Sequence, residues 1–282
     1  MTETTAQAAT ESTFEGADGV EIFWRAWLPE GEPDAIVVIS HGVSEHSGRY
    51  GHVAADLIGH GYAVYSLDHR GHGRSEGDRA VIDSLQNAVA DIDTLISIAS
   101  GQHTGKPIFL LGHSLGGCLA LAYALRHQDR LAGLILSAPV AVLEAASPVQ
   151  LLAARLLSRV APKLGAYSVD ADAVSTDPAV VRDYETDPLN HHDKVPVRTL
   201  AEVAAEVETF PERLPSLRIP LLVMHGSEDT LVPLEASRTV EELAGSADKR
   251  LVIYPDMRHE ILNEPEQDKV LTDIDNWLRE EL

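Results

Sequence analysis

The 282-residue chain has one cysteine, few basic residues and no long apolar run. With Cys118 alone, no disulfide can form within the chain, and nothing in the sequence requires an oxidising compartment. Lys and Arg total 22 against 44 Asp and Glu, and a formal charge of −22 repels nucleic acids and anionic lipid headgroups. No stretch reaches the roughly 18 consecutive apolar residues of a membrane helix. We therefore expect a cytoplasmic protein without a nucleic-acid partner.

In other respects the composition is that of a globular protein. Apolar residues make up 44% and charged residues 23% of the chain, which allows a large buried core. Residues 1–13 lack the basic and apolar regions of a secretory signal, so we expect a short disordered tail. The length suits one α/β domain with an insertion better than two separate domains.

Short β-branched or apolar segments alternate with segments of helical periodicity along most of the chain. Phe14 to Pro29 alternates around a glycine-containing turn and predicts an antiparallel hairpin. The later alternation predicts an α/β fold, with a mostly parallel sheet, helices on both faces and ligands at the carboxyl ends of the strands. The interval 140–216 breaks this rhythm. We therefore assign residues 14–139 and 217–282 to the core and residues 140–216 to an insertion over the carboxyl edge.

The pentapeptide Gly112-His113-Ser114-Leu115-Gly116 follows an apolar strand and leads directly into a predicted helix. Its glycines permit a turn tight enough to hold the serine in a strained conformation with its hydroxyl exposed. The start of a helix also favours a developing negative charge. The pattern G-x-S-x-G is weak alone, but the strand and helix around it are those of an α/β-hydrolase. We predict that Ser114 is the nucleophile of a serine hydrolase; the alternative is a glycine-rich packing turn.

A serine hydroxyl needs a base that takes its proton and an acid that orients the base. In the chain order Ser, acid, His, the base lies after the last strand, where His259 is the candidate; a surface-loop histidine is the alternative. The acid candidate is Asp229, after the strand predicted over 219–225, although it would also suit a turn or a cap. Glu228 is the nearest competitor for this role and Asp256 a weaker one.

The tetrahedral intermediate of acyl transfer requires two backbone N–H donors. Leu115, the residue after the nucleophile, supplies the first. The strand predicted over 35–40 ends in His41-Gly42-Val43, so the amide of Val43 is the expected second donor unless these residues form a simple turn. We therefore predict an oxyanion hole made of Val43 and Leu115.

Polar residues are also dense between Leu67 and Ser75, after another predicted strand. This segment does not match the G-x-G-x-x-G pattern of dinucleotide-binding proteins, and we interpret it as a structural loop near the site. His69 and His72 lack carboxylate or cysteine partners at the spacing of a zinc site, so we predict neither a metal nor a cofactor. Cys118 fits a small buried residue better than a second nucleophile.

From about Phe14 onwards the chain resembles the monoacylglycerol lipases of the α/β-hydrolase superfamily, especially the actinobacterial type. The similarity rests on four segments: His41 to Tyr50, Asp68 to Ser75, Gly112 to Gly117 and Thr186 to Leu189. The first two are more specific than G-x-S-x-G and separate this group from generic esterases. The resemblance implies that Ser114, Asp229 and His259 form a catalytic triad and that Val43 and Leu115 form the oxyanion hole.

The same resemblance implies that Glu45 and Arg49 lie near the pocket for the glycerol end of the substrate. It also implies a helical lid, matching the insertion, with an apolar mouth that contacts membranes or lipid aggregates. An exposed apolar lid is also a candidate contact for a homodimer. Candidates for the mouth, with packing inside the lid as the alternative, are Val149, Leu151, Leu152, Leu156 and Leu157.

Two positions depart from the common family pattern, which has Met after the nucleophile and Gly or Leu in the oxyanion segment. This chain has Leu115 at the first and Val43 with Ser44 at the second. Because the donors are backbone groups, we expect the chemistry to persist while acyl-chain preference changes. The predicted function is hydrolysis of monoacylglycerol to glycerol and a fatty acid through an acyl-enzyme. The alternatives are a lysophospholipase or broad carboxylesterase and, from another class, a non-catalytic lipid-binding protein.

Overall fold

The computed structural model describes residues 9–142 and 155–282. The strands are β1 (Thr10–Glu15), β2 (Glu21–Trp27), β3 (Ala35–Ser40), β4 (Tyr62–Leu67), β5 (Ile108–His113), β6 (Gly133–Ser137), β7 (Gly165–Tyr167), β8 (Val195–Pro196), β9 (Leu221–Gly226) and β10 (Lys249–Tyr254). The α-helices are α1 (Gly51–Gly59), α2 (Leu85–Gln102), α3 (Leu115–His127), α4 (Pro178–Thr186), α5 (Val197–Val207), α6 (Phe210–Arg213), α7 (Leu234–Leu243) and α8 (Gln267–Glu280), with a further helical segment over 155–160. In these two ranges, no helix is long and apolar enough to cross a membrane.

The main sheet of the described chain has eight strands in the order β1-β2-β4-β3-β5-β6-β9-β10. Strand β2 pairs antiparallel with both β1 and β4, and the remaining neighbours are parallel. Parallel strands bring their carboxyl ends to one edge of the sheet, where ligands bind in such folds. The structure confirms the predicted α/β fold and its hairpin at the amino-terminal end.

The inner strands are apolar on both faces because helices cover both sides of the sheet. In β3, Ile36 and Val38 pack into one layer with α2 and α3, whereas Val37 packs into the other with α1 and α8. In this second layer, Trp277 of α8 lies edge-on against Phe109 of β5, with ring centroids 5.7 Å apart. These two layers hold the strands whose ends carry the site.

Strand β1 begins inside the segment that we expected to be a disordered tail. Thr10 pairs with Ala26 and Thr13 with Phe23 along β2. Most side chains of β1 are exposed, so hydrophobic alternation cannot reveal this edge strand, and backbone pairing with β2 holds it. The prediction of a disordered tail is therefore wrong for residues 10–13, which belong to β1.

Residues 155–216 lie between β6 and β9, and α5 attaches them to the core. The hydroxyl of Thr199 accepts the N–H of Ile82 at 2.8 Å and donates to the carbonyl of Ala80 at 2.6 Å. Near the other end of α5, Glu206 binds Arg126 of α3 through both carboxylate oxygens, at 2.8 and 2.9 Å. Residues 155–216 are thus anchored to the core near both ends of α5.

Candidate active site

Ser114 stands at the turn between β5 and α3 with φ 54° and ψ −118°, a strained conformation for a non-glycine residue. The two glycines of the pentapeptide make this turn possible. A Cβ at Gly112 would lie 2.4 Å from the carbonyl oxygen of Gly116, and a Cβ at Gly116 would lie 2.0 Å from that of Ser40. The backbone therefore closes tightly enough to present the serine at the edge of the sheet, as predicted from the motif.

Asp229 follows β9 and His259 follows β10, and the structure brings the two side chains together. Asp229 Oδ2 accepts a hydrogen bond from His259 Nδ1 at 2.7 Å. Its other oxygen accepts the N–H groups of Leu231 and Val232 at 2.8 and 3.0 Å. Burial favours the neutral acid, but hydrogen bonds from His225 and His259 outweigh it and hold the pKa of Asp229 well below its usual range. Asp229 is therefore an ionised carboxylate next to the histidine.

The competing carboxylates point elsewhere. Glu228 and Asp256 are both exposed, and Glu228 Oε1 accepts from the neighbouring Ser227 hydroxyl at 3.3 Å. Asp256 occupies a turn with φ 62°. Neither has a hydrogen bond to His259 in the part of the chain that is described, so the geometry favours Asp229.

His225, the penultimate residue of β9, is a partner that the sequence analysis missed. Its Nε2 lies 3.1 Å from Asp229 Oδ2, and its Nδ1 lies 2.7 Å from the Ser237 hydroxyl. The side chain is fully buried. Its position four residues before the acid, at the end of an apolar strand, was the only signal available in the sequence.

The loop after β3 lies beside the serine because Ser40 pairs with Gly112 in the sheet register. A Cβ at Gly42 would lie only 3.3 Å from the Cβ of Ser114. No acceptor is paired with the N–H of Val43 within residues 9–142 and 155–282. Leu115 opens α3, and the first N–H groups of a helix have no partner within it. Both predicted donors are therefore next to Ser114.

Glu45 and Arg49 belong to one buried ionic network. Glu45 Oε1 accepts the N–H of Gly42 at 2.6 Å and the Tyr50 hydroxyl at 2.8 Å, while Oε2 accepts from Arg49 at 2.9 Å. Arg49 also donates to both oxygens of Glu260, at 2.7 and 2.8 Å. Although burial favours the neutral acid, Arg49 keeps the pKa of Glu260 below its usual value. Glu260, which the sequence analysis missed, joins this network directly after His259.

A cavity of about 500 Å³ opens next to Ser114. Glu45, Tyr184 and Glu260 line it with polar groups, and all three contact Arg49, whose guanidinium lies 5.0 Å from the ring centroid of Tyr184. Arg155, Thr199 and Thr230 are further polar residues of the lining. The remaining wall is mostly apolar and comes from both the core and the segment 155–216. It includes Val140, Val142, Val169, Val174, Val195, Leu200, Val203, Leu231 and Val232. The cavity thus combines a mostly apolar wall with the polar groups of Glu45, Tyr184 and Glu260.

The polar segment after β4 supports the site without lining the cavity. Asp68 accepts the N–H groups of Ser47 and Arg74, each at 2.8 Å. These bonds confirm its interpretation as a structural loop. Cys118 is fully buried in α3, as expected for a small core residue. Burial raises the pKa of its thiol, which disfavours the nucleophilic thiolate.

The predicted apolar mouth is described only in part, because Val149, Leu151 and Leu152 lie outside the described residues. Leu156 and Leu157 are 55% and 37% exposed. Val160 is also exposed, as are Leu164 and Tyr167 further along. Leu156, Leu157 and Val160 form an exposed apolar patch. It follows Arg155, a residue that lines the cavity.

A sheet of this order, with a strained serine after β5, an acid after β9 and a histidine after β10, defines a serine hydrolase of the α/β-hydrolase fold. The family described as serine aminopeptidase, S33, matches residues 31–266. The chain is 41% identical to a monoacylglycerol lipase of Mycolicibacterium smegmatis, over 95% of this chain and 96% of that protein. It is 35% identical to the human monoglyceride lipase, over 93% and 88% respectively.

A solved structure shows the same relationship. The monoacylglycerol lipase of Paleococcus ferrophilus is 29% identical and superposes with a TM-score of 0.81, over 98% of this chain and all of that one. The chain therefore belongs to this family of serine hydrolases and, within it, to the monoacylglycerol lipases. This confirms the resemblance inferred from the sequence motifs.

Proposed function

We propose that the protein hydrolyses monoacylglycerols, with Ser114 as nucleophile, His259 as general base and Asp229 as the acid that orients it. The observation that carries the proposal is the two-part lining of the cavity beside Ser114. Its apolar part suits an acyl chain, and its polar part suits a small alcohol with several hydroxyls. The similarity to the lipase of Mycolicibacterium smegmatis supports the same class of substrate. No observation favours a lysophospholipase or a non-catalytic lipid-binding protein.

In the proposed mechanism, the hydroxyl oxygen of Ser114 attacks the ester carbonyl carbon while His259 Nε2 accepts its proton. Asp229 accepts the Nδ1–H of His259, which leaves Nε2 free and stabilises the imidazolium. The N–H groups of Val43 and Leu115 donate to the oxyanion. His259 returns the proton to the glycerol oxygen, which leaves as the acyl-enzyme forms. Water, activated by His259, then releases the fatty acid.

We assign the glycerol end of the substrate to the polar part of the cavity. Glu45 Oε2 accepts one hydrogen bond, from Arg49, and a carboxylate oxygen can accept a second from a glycerol hydroxyl. Tyr184 lines the same region. Arg49 contributes to this part of the site indirectly, by holding Glu45, because its donors are already directed at the carboxylates of Glu45 and Glu260.

We further propose that residues 140–216 act as a lid and that the apolar patch contacts membranes or lipid aggregates. Exposed apolar side chains beside an opening are typical of such contacts. The formal charge of −22 favours neutral or zwitterionic surfaces over anionic ones. The protein would then be cytoplasmic with transient lipid contact. Sedimentation at several protein concentrations distinguishes this role of the patch from pairing of two copies.

A substrate panel tests the assignment. Monoacylglycerol, diacylglycerol, lysophosphatidylcholine and a short p-nitrophenyl ester would be compared on the parent protein and on Ser114→Ala. We expect the highest kcat/KM for monoacylglycerol and a loss of at least about 10⁴-fold in Ser114→Ala. Parental turnover by Ser114→Ala would refute the nucleophile, whereas faster turnover of lysophosphatidylcholine would refute the substrate class.

A further inference from the structure

His41 is fully buried and makes two hydrogen bonds that define its protonation. Its Nε2 lies 2.9 Å from the backbone N–H of His69, and its Nδ1 lies 2.7 Å from the carbonyl oxygen of Gly42. A backbone N–H can only donate, so Nε2 is the acceptor. In the neutral ring the proton is then on Nδ1, which donates to the Gly42 carbonyl.

The carbonyl of Gly42 and the N–H of Val43 belong to the same peptide unit. The described chain contains no cis peptide bond, and in a planar trans peptide the C=O and N–H point in opposite directions. A hydrogen bond that holds the Gly42 oxygen therefore also sets the direction of the Val43 N–H. Glu45 also holds the peptide unit before this one, His41–Gly42, since its Oε1 accepts the Gly42 N–H at 2.6 Å.

We propose that His41 is a positioning residue for the oxyanion hole. Its neutral Nδ1–H tautomer holds the Gly42–Val43 peptide so that the Val43 N–H is directed at the oxyanion formed on the substrate of Ser114. The inference rests on the proposed function in one respect, the assignment of Val43 as a donor. A donor held in place before the reaction has no reorientation cost as charge develops.

The surroundings of His41 favour its neutral form. The rings of His69 and His72 lie 4.3 and 5.5 Å from it, centroid to centroid. Burial lowers the pKa of His41 to about 4, against the opposing charge of Asp68, while His46 and Arg49 lower it further. A proton on Nε2 would face the N–H of His69, so protonation and the observed contact exclude each other.

Two amide variants separate the two contacts of His41. His41→Asn places an NH₂ group near the position of Nδ1 and keeps a donor for the Gly42 carbonyl. His41→Gln places its amide near the position of Nε2, so it can accept the His69 N–H but has no donor for Gly42. The matched control is His72→Asn, because His72 is buried in the same cluster but its Nδ1 contacts the carbonyl of Arg70.

The measurement is kcat and KM for p-nitrophenyl butyrate, together with inhibition by a trifluoromethyl ketone whose adduct with Ser114 carries an oxyanion. For His41→Gln we expect kcat to fall about 10- to 100-fold and ketone affinity to fall by a similar factor, with KM within about threefold. His41→Asn should stay within about fivefold of the parent kcat. His72→Asn should lower the melting temperature without changing kcat.

Equal kcat in His41→Asn and His41→Gln would overturn the proposal. A second measurement does not depend on how the variants fold: ¹⁵N NMR of the parent protein at pH 7 reports which ring nitrogen carries the proton, and an Nε2–H tautomer of His41 would also overturn it. The p-nitrophenyl ester contains no glycerol. Slow turnover of monoacylglycerol beside fast turnover of this ester would therefore refute the proposed substrate and leave the role of His41 testable.

Discussion

Arg49 and Glu260, 211 positions apart in the chain, form a two-bond ion pair with N–O distances of 2.7 and 2.8 Å. Glu260 directly follows His259, and Arg49 also binds Glu45, which holds the amide of Gly42. The ion pair thus connects the loop after β3, which carries the proposed oxyanion donor, to the loop after β10, which carries the proposed base. Both side chains are nearly buried, at 10% and 6% exposure.

Replacement of Arg49 by Met should destabilise the protein strongly. It leaves the carboxylates of Glu45 and Glu260 buried without a counter-charge, and breaking such a pair costs about 3–5 kcal/mol. Arg49→Lys should cost less, because an ammonium keeps the charge but cannot bind both oxygens of Glu260 as a fork. Urea denaturation measures both free energies of unfolding.

A matched control is available at the surface. Arg250 and Glu280 pair at 2.8 Å, but their side chains are 47% and 55% exposed. Arg250→Met should therefore cost no more than about 1 kcal/mol. Equal losses in Arg49→Met and Arg250→Met would contradict the structural role of the buried pair.

Asp229→Asn should lower kcat by about 10⁴-fold, because an amide cannot select the Nδ1–H tautomer of His259 or stabilise its imidazolium. The adjacent Glu228 is the natural control, since it is exposed and has no hydrogen bond to His259 among the described residues. Glu228→Gln should change kcat by less than about twofold. Steady-state hydrolysis of a p-nitrophenyl ester measures both variants, and a larger loss in Glu228→Gln would reverse the assignment of the acid.

Four buried histidines should make the free energy of unfolding depend on pH. Burial lowers the pKa of His41 and His113 to about 4 and of His72 to about 3, and lowers that of His69 well below its ordinary value. In the unfolded chain they titrate near 6.5. Between these values the unfolded state binds more protons, so the free energy of unfolding decreases as pH falls from about 6.5 to about 4.

Each of these histidines contributes a slope of about 1.4 kcal/mol per pH unit in that window. Urea denaturation at pH 7, 6 and 5 measures the total slope. His72→Asn removes one of these groups and should reduce the slope by about 1.4 kcal/mol per pH unit, which is the contribution of one bound proton. A free energy of unfolding that does not change between pH 7 and pH 5 would rule out neutral buried histidines.

Serine substitutions in the apolar patch should impair action on aggregated substrate only. Leu156 and Val160 are 55% and 81% exposed, so their replacement removes little buried surface. We expect KM for monoacylglycerol in neutral micelles to rise several-fold and kcat/KM for soluble p-nitrophenyl acetate to stay unchanged. Leu282→Ser, at a residue with 54% exposure outside the patch, is the control. Equal effects of the patch variants on both substrates would refute the lipid contact.

Much of the site was predictable because its signals are local. The glycines on both sides of Ser114 and the strand before it are neighbours in sequence, so their conformation follows from steric rules. The edge strand β1 escaped prediction because its exposed side chains carry no hydrophobic pattern. Glu260 escaped because its partner Arg49 lies in another loop, to which no sequence spacing points. His225 escaped because its position four residues before Asp229 was a weak signal on its own.

By itself, the sequence determined the α/β alternation, the tight turn at Ser114 and the order of the triad candidates, since periodicity and glycine placement act over a few residues. Only the tertiary structure decided between Asp229, Glu228 and Asp256, because three nearby carboxylates differ solely in which one the folded loops turn towards His259. It also placed Arg49 between the carboxylates of Glu45 and Glu260. Pairing across 211 positions depends on the sheet that brings the loops together, and no local property of the chain encodes it.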